Sequence, residues 1–206
     1  MTSTISKLSE YFEKLPGIGP RQARRFVYYL LGQDENFLKK ISDQITNLKK
    51  QVNQCQDCQR FFENNNQSKK CNLCNDINRN KNTLLITEKD IDLENVEKAG
   101  FYNGFYFVLG GLVPVAGTNL PKEVKMKKLF ETVKKEIESK NLKEIILAFS
   151  ANSEGDNTAC YVEKIMEPFV KKYGIKISRL GRGLSTGTEL EYSDKETIIN
   201  AFKNRQ

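Results

Sequence analysis

Apolar residues recur at intervals of three and four through the first quarter of the chain. Ile5, Leu8, Phe12 and Leu15 form one set, Phe26, Tyr29 and Leu30 a second, and Leu38, Ile41, Ile45 and Leu48 a third. That period is helical, so the chain to about Gln51 reads as helices that each carry an apolar stripe. The pattern then lapses: Cys55 to Asp76 is polar and rich in Asn and Gln, and apart from Phe61, Phe62 and Leu73 it has no large apolar side chains with which to build a core. From Thr83 onward two periods alternate. Thr83–Thr87 reads as a strand, Asp92–Gly100 as a short helix ended by glycine, Phe105–Leu109 as a strand and Pro121–Lys140 as a long basic helix. Glu144–Ser150 (EIILAFS) follows as a buried strand and Asn157–Tyr173 as a helix. Strands alternating with helices predict a parallel sheet covered by helices. The chain closes with a strand at Lys176–Leu180, a loop holding Gly181, Gly183 and Gly187, and a helix from about Asp194. No internal repeat or low-complexity tract interrupts this order.

Composition narrows the chemistry. The 206 residues include 33 Lys and Arg against 26 Asp and Glu, a net charge of +7, and no histidine. Histidine-based triads, histidine zinc hydrolases and histidine-relay nucleases are therefore excluded, and any metal must be held by Cys, Asp or Glu. The charge is uneven: Met1–Asn80 carries 13 basic and 8 acidic residues, Lys81–Ser150 carries 11 and 10, and Ala151–Gln206 carries 9 and 8. An excess of five in the first part points to an anionic polymer as partner. No apolar run approaches the roughly 20 residues that span a bilayer, and the N-terminus lacks the core of a signal peptide. A cytoplasmic protein with no membrane partner is expected.

Four of the five cysteines lie in the polar segment, as Cys55-x2-Cys58 and Cys71-x2-Cys74 separated by 12 residues. Two CxxC knuckles brought together present four thiolates to a tetrahedral Zn²⁺, which would give this segment a reason to fold. With every coordination position filled by protein, the zinc is structural. Disulfides are the rival reading, disfavoured by a reducing compartment. Cys160, outside the set, reads as a buried small hydrophobe.

The break between the first two helices is Leu15-Pro16-Gly17-Ile18-Gly19-Pro20, followed by Arg21, Arg24 and Arg25. Gly17 and Gly19 permit a tight hairpin, Pro20 suits the first turn of the next helix, and that helix N-terminus favours an anion. The three arginines share one face, where their mutual repulsion of roughly 0.2–0.5 kcal/mol per pair would be relieved by phosphate. This is the arrangement of a helix-hairpin-helix, which grips nucleic-acid backbones without reading sequence. A Gly-Pro turn with a solvated basic face is the plainer alternative.

A third group is acidic. Glu88 follows one strand, and Glu154 and Asp156 follow another, so in a parallel sheet the three carboxylates sit at the same edge. Three hard oxygen donors suit Mg²⁺. Acids beyond strands also stabilise the next helix, and Asp156 is placed to do so for a helix from Asn157. The residues alone leave both readings open.

Taken in order, LPGIGPRQARR (Leu15–Arg25), CQDC and CNLC (Cys55–Cys74), YNGFYFVLGG (Tyr102–Gly111), EIILAFSANSEGDNTACYV (Glu144–Val162) and GRGLSTGTELEYSDKETIINAF (Gly181–Phe202) resemble the bacterial recombination mediator family RecR, from about Ile5 to Arg205. The resemblance implies a multi-domain α/β protein: a helix-hairpin-helix DNA-binding domain at 1–52, a four-cysteine zinc finger at 53–80, a Toprim-type parallel-sheet domain at 81–174, and a C-terminal strand-loop-helix assembly segment at 175–206. It implies a non-enzymatic role in repair of gapped DNA, binding single- and double-stranded DNA and acting with RecO, and in many bacteria RecF, to load RecA. It also implies a homo-oligomer, a dimer or a tetramer ring, assembled through N- and C-terminal contacts. By position, Arg21 and Arg25 correspond to the family's DNA contacts, Cys55, Cys58, Cys71 and Cys74 to its zinc ligands, and Glu88, Glu154 and Asp156 to the Toprim acids. The alternatives are a Mg²⁺-dependent Toprim nuclease or primase using those acids, and a zinc adaptor that binds only protein. Two loops depart from the family pattern, LVPVAGTNLP (112–121) and Ser185-Thr186-Gly187-Thr188, so contacts there are not carried over.

Overall fold

The computed structural model describes residues 3–63, 68–116, 119–139, 142–187 and 189–205, so residues 64–67 of the polar segment and Gly117, Thr118, Lys140 and Thr188 of the other segments named above lie outside the described residues. The chain forms two compact units, Met1–Val52 and Asn53–Gln206.

In the first unit, α1 (Thr4–Glu13), α2 (Pro20–Leu31) and α3 (Glu35–Gln51) follow the three apolar sets. Ser3 caps α1 by accepting from the Ser6 N–H at 3.2 Å, and Asp34 caps α3 by accepting from the Phe37 N–H at 2.8 Å. Helices α1 and α2 pack closely because Ala23 and Ser9 lie at their contact with almost no exposed surface, and Phe12 meets Phe26 edge to face at 5.7 Å.

The second unit is built on a four-stranded parallel sheet in the order β4-β3-β5-β6, formed by β3 (Asn80–Thr87), β4 (Gly104–Val108), β5 (Glu144–Ala148) and β6 (Lys176–Arg179). Alternate residues of each strand serve opposite faces. Leu84, Ile86, Phe107, Ile145 and Leu147 join the larger core with α6 (Met126–Glu138) and α7 (Ser153–Tyr173). Leu85, Tyr106, Val108, Ile146 and Ala148 face the other way, toward α5 (Asp90–Ala99) and the cysteine loop. Cys55, Cys58 and Cys71 belong to that second core, so the polar segment, too poor in apolar residues to fold alone, borrows the underside of the sheet. Around the cysteines lie the short strands β1 (Val52–Gln54) and β2 (Phe61–Glu63), which pair, and the single turn α4 (Asn72–Asn75). After β6 the chain runs through a 3₁₀ turn at Leu190–Tyr192 into α8 (Lys195–Lys203), capped by Asp194, which accepts from the Thr197 N–H at 2.9 Å.

Two helix starts and one burial state correct the sequence reading. The basic helix expected from Pro121 begins only at Met126, since Pro121–Lys125 forms turns that return the chain to the sheet through Lys125 N–H to Leu109 O at 2.9 Å. Helix α7 begins at Ser153, not Asn157, because the Asn152 side chain accepts from the Gly155 N–H at 2.8 Å. Asn152 is therefore the cap, and Asp156 lies inside the first turn. Cys160 is exposed rather than buried.

Candidate nucleic-acid interface and metal centre

The hairpin of the first unit is a turn closed by Ile18 N–H to Leu15 O at 3.1 Å, with Pro16 and Gly17 at its centre. Gly17 has φ +77°, the left-handed value that the third residue of a type II turn requires and that a side chain strains. Gly19 differs. Its φ is −88°, open to any residue, and a Cβ there would meet nothing within 4 Å, so the hairpin does not need its flexibility. Gly19 is the N-cap of α2 without a side-chain cap, and Pro20 occupies the first turn. Arg21, Arg24 and Arg25 stand exposed just beyond, and among the described residues none forms an ion pair with a carboxylate. Arg25 donates to the Gln22 side chain at 3.3 Å, which leaves its charge uncompensated. The surface is thus a row of cations beside an uncapped helix start.

In the second unit the sulfurs of Cys55, Cys58, Cys71 and Cys74 all lie within 4.8 Å of one another. Cys58 and Cys71 sulfurs are 3.6 Å apart, close to the edge of about 3.8 Å in a tetrahedron with metal–sulfur bonds of about 2.3 Å. The first three are buried and Cys74 partly so, and the Cys71 N–H donates to the Cys55 sulfur at 3.3 Å, supporting it as a thiolate. Hydrogen bonds from Cys58, Cys71 and Cys74 hold the Cys55 thiol far below its ordinary value. The donor set fits a closed structural metal site.

Gln59 shapes this centre, and the sequence reading passed over it. It is the one described non-glycine residue with positive φ, 63°, and it takes that conformation directly after the first CxxC knuckle. Its side-chain amide donates to the carbonyls of Cys55 at 3.1 Å and Gln56 at 2.8 Å, while its own carbonyl accepts from Lys125 Nζ at 3.2 Å. Lys125 is half-buried, and burial lowers its pKa.

The acids find different surroundings. Register places Thr87 of β3 beside Val108 of β4 and Ala148 of β5, so Glu88 does emerge at the carboxyl edge of the sheet. Yet Glu88 is buried, accepts from the Ser150 hydroxyl at 2.9 Å and pairs with Lys89 Nζ at 2.7 Å. Glu154 is exposed in the first turn of α7. Asp156 accepts from both terminal nitrogens of Arg182, and this hydrogen bonding holds its carboxyl below the usual range. Among the described residues the four cysteines are the one group of three or more potential metal-binding residues brought together, and Glu88, Glu154 and Asp156 do not form such a group. Gly155 between the two acids is required by close approach: a Cβ there would lie 1.9 Å from Ser150 O.

Residues 5–49 match the model of the RecR helix-hairpin-helix, residues 82–181 that of the Toprim domain, and residues 183–206 that of the RecR C-terminal region. A protein of Dehalococcoides mccartyi named Recombination protein RecR is 35% identical over 98% of this chain and 93% of its own length. Proteins of the same name from Streptococcus mutans, 32% identical, and Staphylococcus aureus, 35% identical, each align over 98% of this chain and 96% of their own. With its exposed hairpin arginines, clustered cysteines and parallel sheet, the chain belongs to the RecR family of recombination proteins.

Proposed function

We propose that this recombination-repair protein is a DNA-binding mediator that holds DNA without reacting with it. The observation that carries the reading is the hairpin: Arg21, Arg24 and Arg25 follow the Pro16-Gly17 turn, exposed and unpaired with carboxylates. Phosphates there meet three cations and the open N–H groups of the first turn of α2, contacts that position DNA and carry no base information. Single- and double-stranded DNA and gapped junctions are the ligands, and RecO, in some organisms RecF, and indirectly RecA are the partners. A homo-oligomer, dimer or tetramer ring, would gather the hairpins of several subunits around one duplex. Supporting assembly, α3 exposes Ile45 and Leu48 at 66% and 60%, and α8 exposes Phe202 at 65%. The parts at 1–52, 53–80, 81–174 and 175–206 then serve DNA contact, metal-bound support, partner docking and assembly, in a cytoplasmic protein; no described helix is long and apolar enough to cross a membrane.

Zn²⁺ is the metal the four thiolates suit, and when bound it would cross-link Cys55, Cys58, Cys71 and Cys74 and leave no position for substrate. Phosphodiester hydrolysis through Glu88, Glu154 and Asp156 is disfavoured by the Lys89 and Arg182 charges that already face two of them. Fluorescence anisotropy with Arg21→Ala/Arg25→Ala tests the reading. DNA affinity is expected to fall equally for unrelated sequences, and the slope of log K against log salt to lessen by about one per lost phosphate contact. Retained affinity would remove the hairpin from the interface, and cleavage of gapped DNA with Mg²⁺ or Mn²⁺ that Glu88→Gln abolishes would replace the mediator by an enzyme.

A further inference from the structure

The carboxyl edge of the sheet poses a question that DNA binding does not answer: what the Toprim acids do when they are not gathered around an ion. Asp156 accepts from Arg182 with both oxygens, Nη1 meeting Oδ2 at 3.0 Å and Nη2 meeting Oδ1, the two-pronged geometry in which guanidinium matches carboxylate. A second guanidinium stands behind it, Arg179 Nη1 lying 3.6 Å from Asp156 Oδ1. Arg179 is itself fixed by Glu163, to which its Nε and Nη2 donate at 2.7 and 2.8 Å. A divalent ion at Asp156 would have to displace one guanidinium and sit against the other. Mg²⁺ binds through one or two free carboxylates and sheds water reluctantly, so it has little with which to compete.

Arg182 also looks the other way. Its backbone carbonyl accepts from the Asn204 side-chain amide at 2.7 Å, just past the end of α8, and the Ala201 Cβ lies 3.9 Å from where a side chain on Gly183 would begin. A continuous path therefore runs from the first turn of α7 through Asp156 and Arg182 to α8. That helix has no fully buried residue.

We propose that Arg182 stands at Asp156 where a divalent cation would otherwise bind, so that this Toprim carboxylate is a docking point for the C-terminal segment of the chain. Ion binding and C-terminal docking then exclude each other. The proposal does not depend on DNA binding, and none of its readouts involves DNA.

Mn²⁺ titration followed by electron paramagnetic resonance, with amide hydrogen exchange on the same full-length samples, tests it. Wild-type protein is expected to hold no Mn²⁺ that Asp156→Asn removes, and Arg182→Gln to bind Mn²⁺ about tenfold tighter or more. Both variants are expected to speed exchange in residues 195–204 by about tenfold, with Ile145–Leu147 still protected as proof that the sheet is intact. Mn²⁺ bound by the wild type through Asp156, no gain in Arg182→Gln, or unchanged exchange in 195–204 in both variants would each overturn the proposal. The wild-type Mn²⁺ measurement stands even if a variant fails to fold.

Discussion

The Val108 backbone N–H donates to the Cys58 carbonyl at 2.8 Å, so the cysteine loop is hydrogen-bonded to the outer edge of the parallel sheet. A knuckle residue thereby shields part of an edge strand that would otherwise offer its backbone to other chains. Phe61 N–H to Asp90 Oδ1 at 2.7 Å and Lys125 Nζ to Gln59 O at 3.2 Å tie the same loop to α5 and to the start of α6. Loss of the metal is therefore expected to reach the sheet. Cys71→Ser should lower the stability of the whole second unit by at least about 4 kcal/mol, the range in which loss of a metal falls. Urea unfolding with and without chelator, and hydrogen exchange at Val108, measure this. Rapid exchange confined to the loop, with Val108 still protected, would contradict it.

Gln59 gives a test of finer grain. Left-handed backbone costs a non-glycine residue about 1 kcal/mol, and here two side-chain hydrogen bonds, to the carbonyls of Cys55 and Gln56, offset it. Gln59→Gly loses the bonds but also the strain, and should stay within about 1 kcal/mol of wild type. Gln59→Ala keeps the strain and loses the bonds, so it should fall about 2 kcal/mol lower. Thermal unfolding of the metal-bound proteins ranks the three, and an alanine variant as stable as the glycine one would refute the assignment.

Much of this was legible in the sequence because periodicity reports burial. Unbroken apolar runs at Leu84–Ile86 and Ile145–Ala148 mark strands that serve a core on each face, and the three- and four-residue spacing before Gln51 marks helices. Spacing also foretold the cysteine cluster, since two CxxC knuckles have one economical way to meet. Long-range pairing was the hidden part. Nothing local to Asp156 reveals Arg182, which is brought to it by the parallel return of β6 beside β5. The cap at Asn152 is hidden because Glu154 and Asp156, two and four residues on, are equally suited to the start of a helix. Gln59 carried no signal at all, since the left-handed position after a knuckle is where glycine is expected.

The two hairpin glycines are expected to separate stability from DNA contact. Gly17→Ala places a side chain at φ +77° and should cost about 1–2 kcal/mol of stability in the first unit, read from thermal unfolding. Gly19→Ala enters open space at an ordinary φ and should leave stability within about 0.5 kcal/mol. If phosphate approaches the start of α2 at Gly19, that same harmless methyl should weaken DNA binding. A Gly19→Ala protein with unchanged stability and unchanged affinity would move the phosphate elsewhere along the arginine row.

Acid should loosen the C-terminal segment. Hydrogen bonds from Arg182, and then its charge, hold the Asp156 carboxyl below the unfolded value of 3.8. A depressed carboxylate stabilises fully above the unfolded pKa, and its contribution is lost as pH falls through the lower folded value. Protection of residues 195–204 against hydrogen exchange, corrected for intrinsic rates, should therefore be constant above about pH 5 and decline below about pH 4. Asp156→Asn should show no such decline.

Glu97 holds together three elements of the sheet's lower layer. Its carboxylate pairs with Arg79, whose side chain is only 8% exposed, and accepts from the Tyr106 hydroxyl, while Arg79 also donates to the Gly104 carbonyl at 2.9 Å and lies over the Tyr106 ring at 5.5 Å. Burial first, then the bond to Glu97, raises the Tyr106 pKa, so the phenol stays a neutral donor across the working range. Glu97→Ala strands a buried guanidinium and an unmet hydroxyl and should cost about 3–5 kcal/mol. Glu97→Gln keeps an acceptor for Tyr106 and should cost about half as much. Arg79→Met combined with Glu97→Leu removes both charges and should recover most of the loss, because the penalty comes from an uncompensated charge more than from a missing attraction. Urea denaturation of the three variants decides: a double variant no more stable than Glu97→Ala would mean that the ion pair itself, not the avoidance of a lone buried charge, stabilises this corner of the fold.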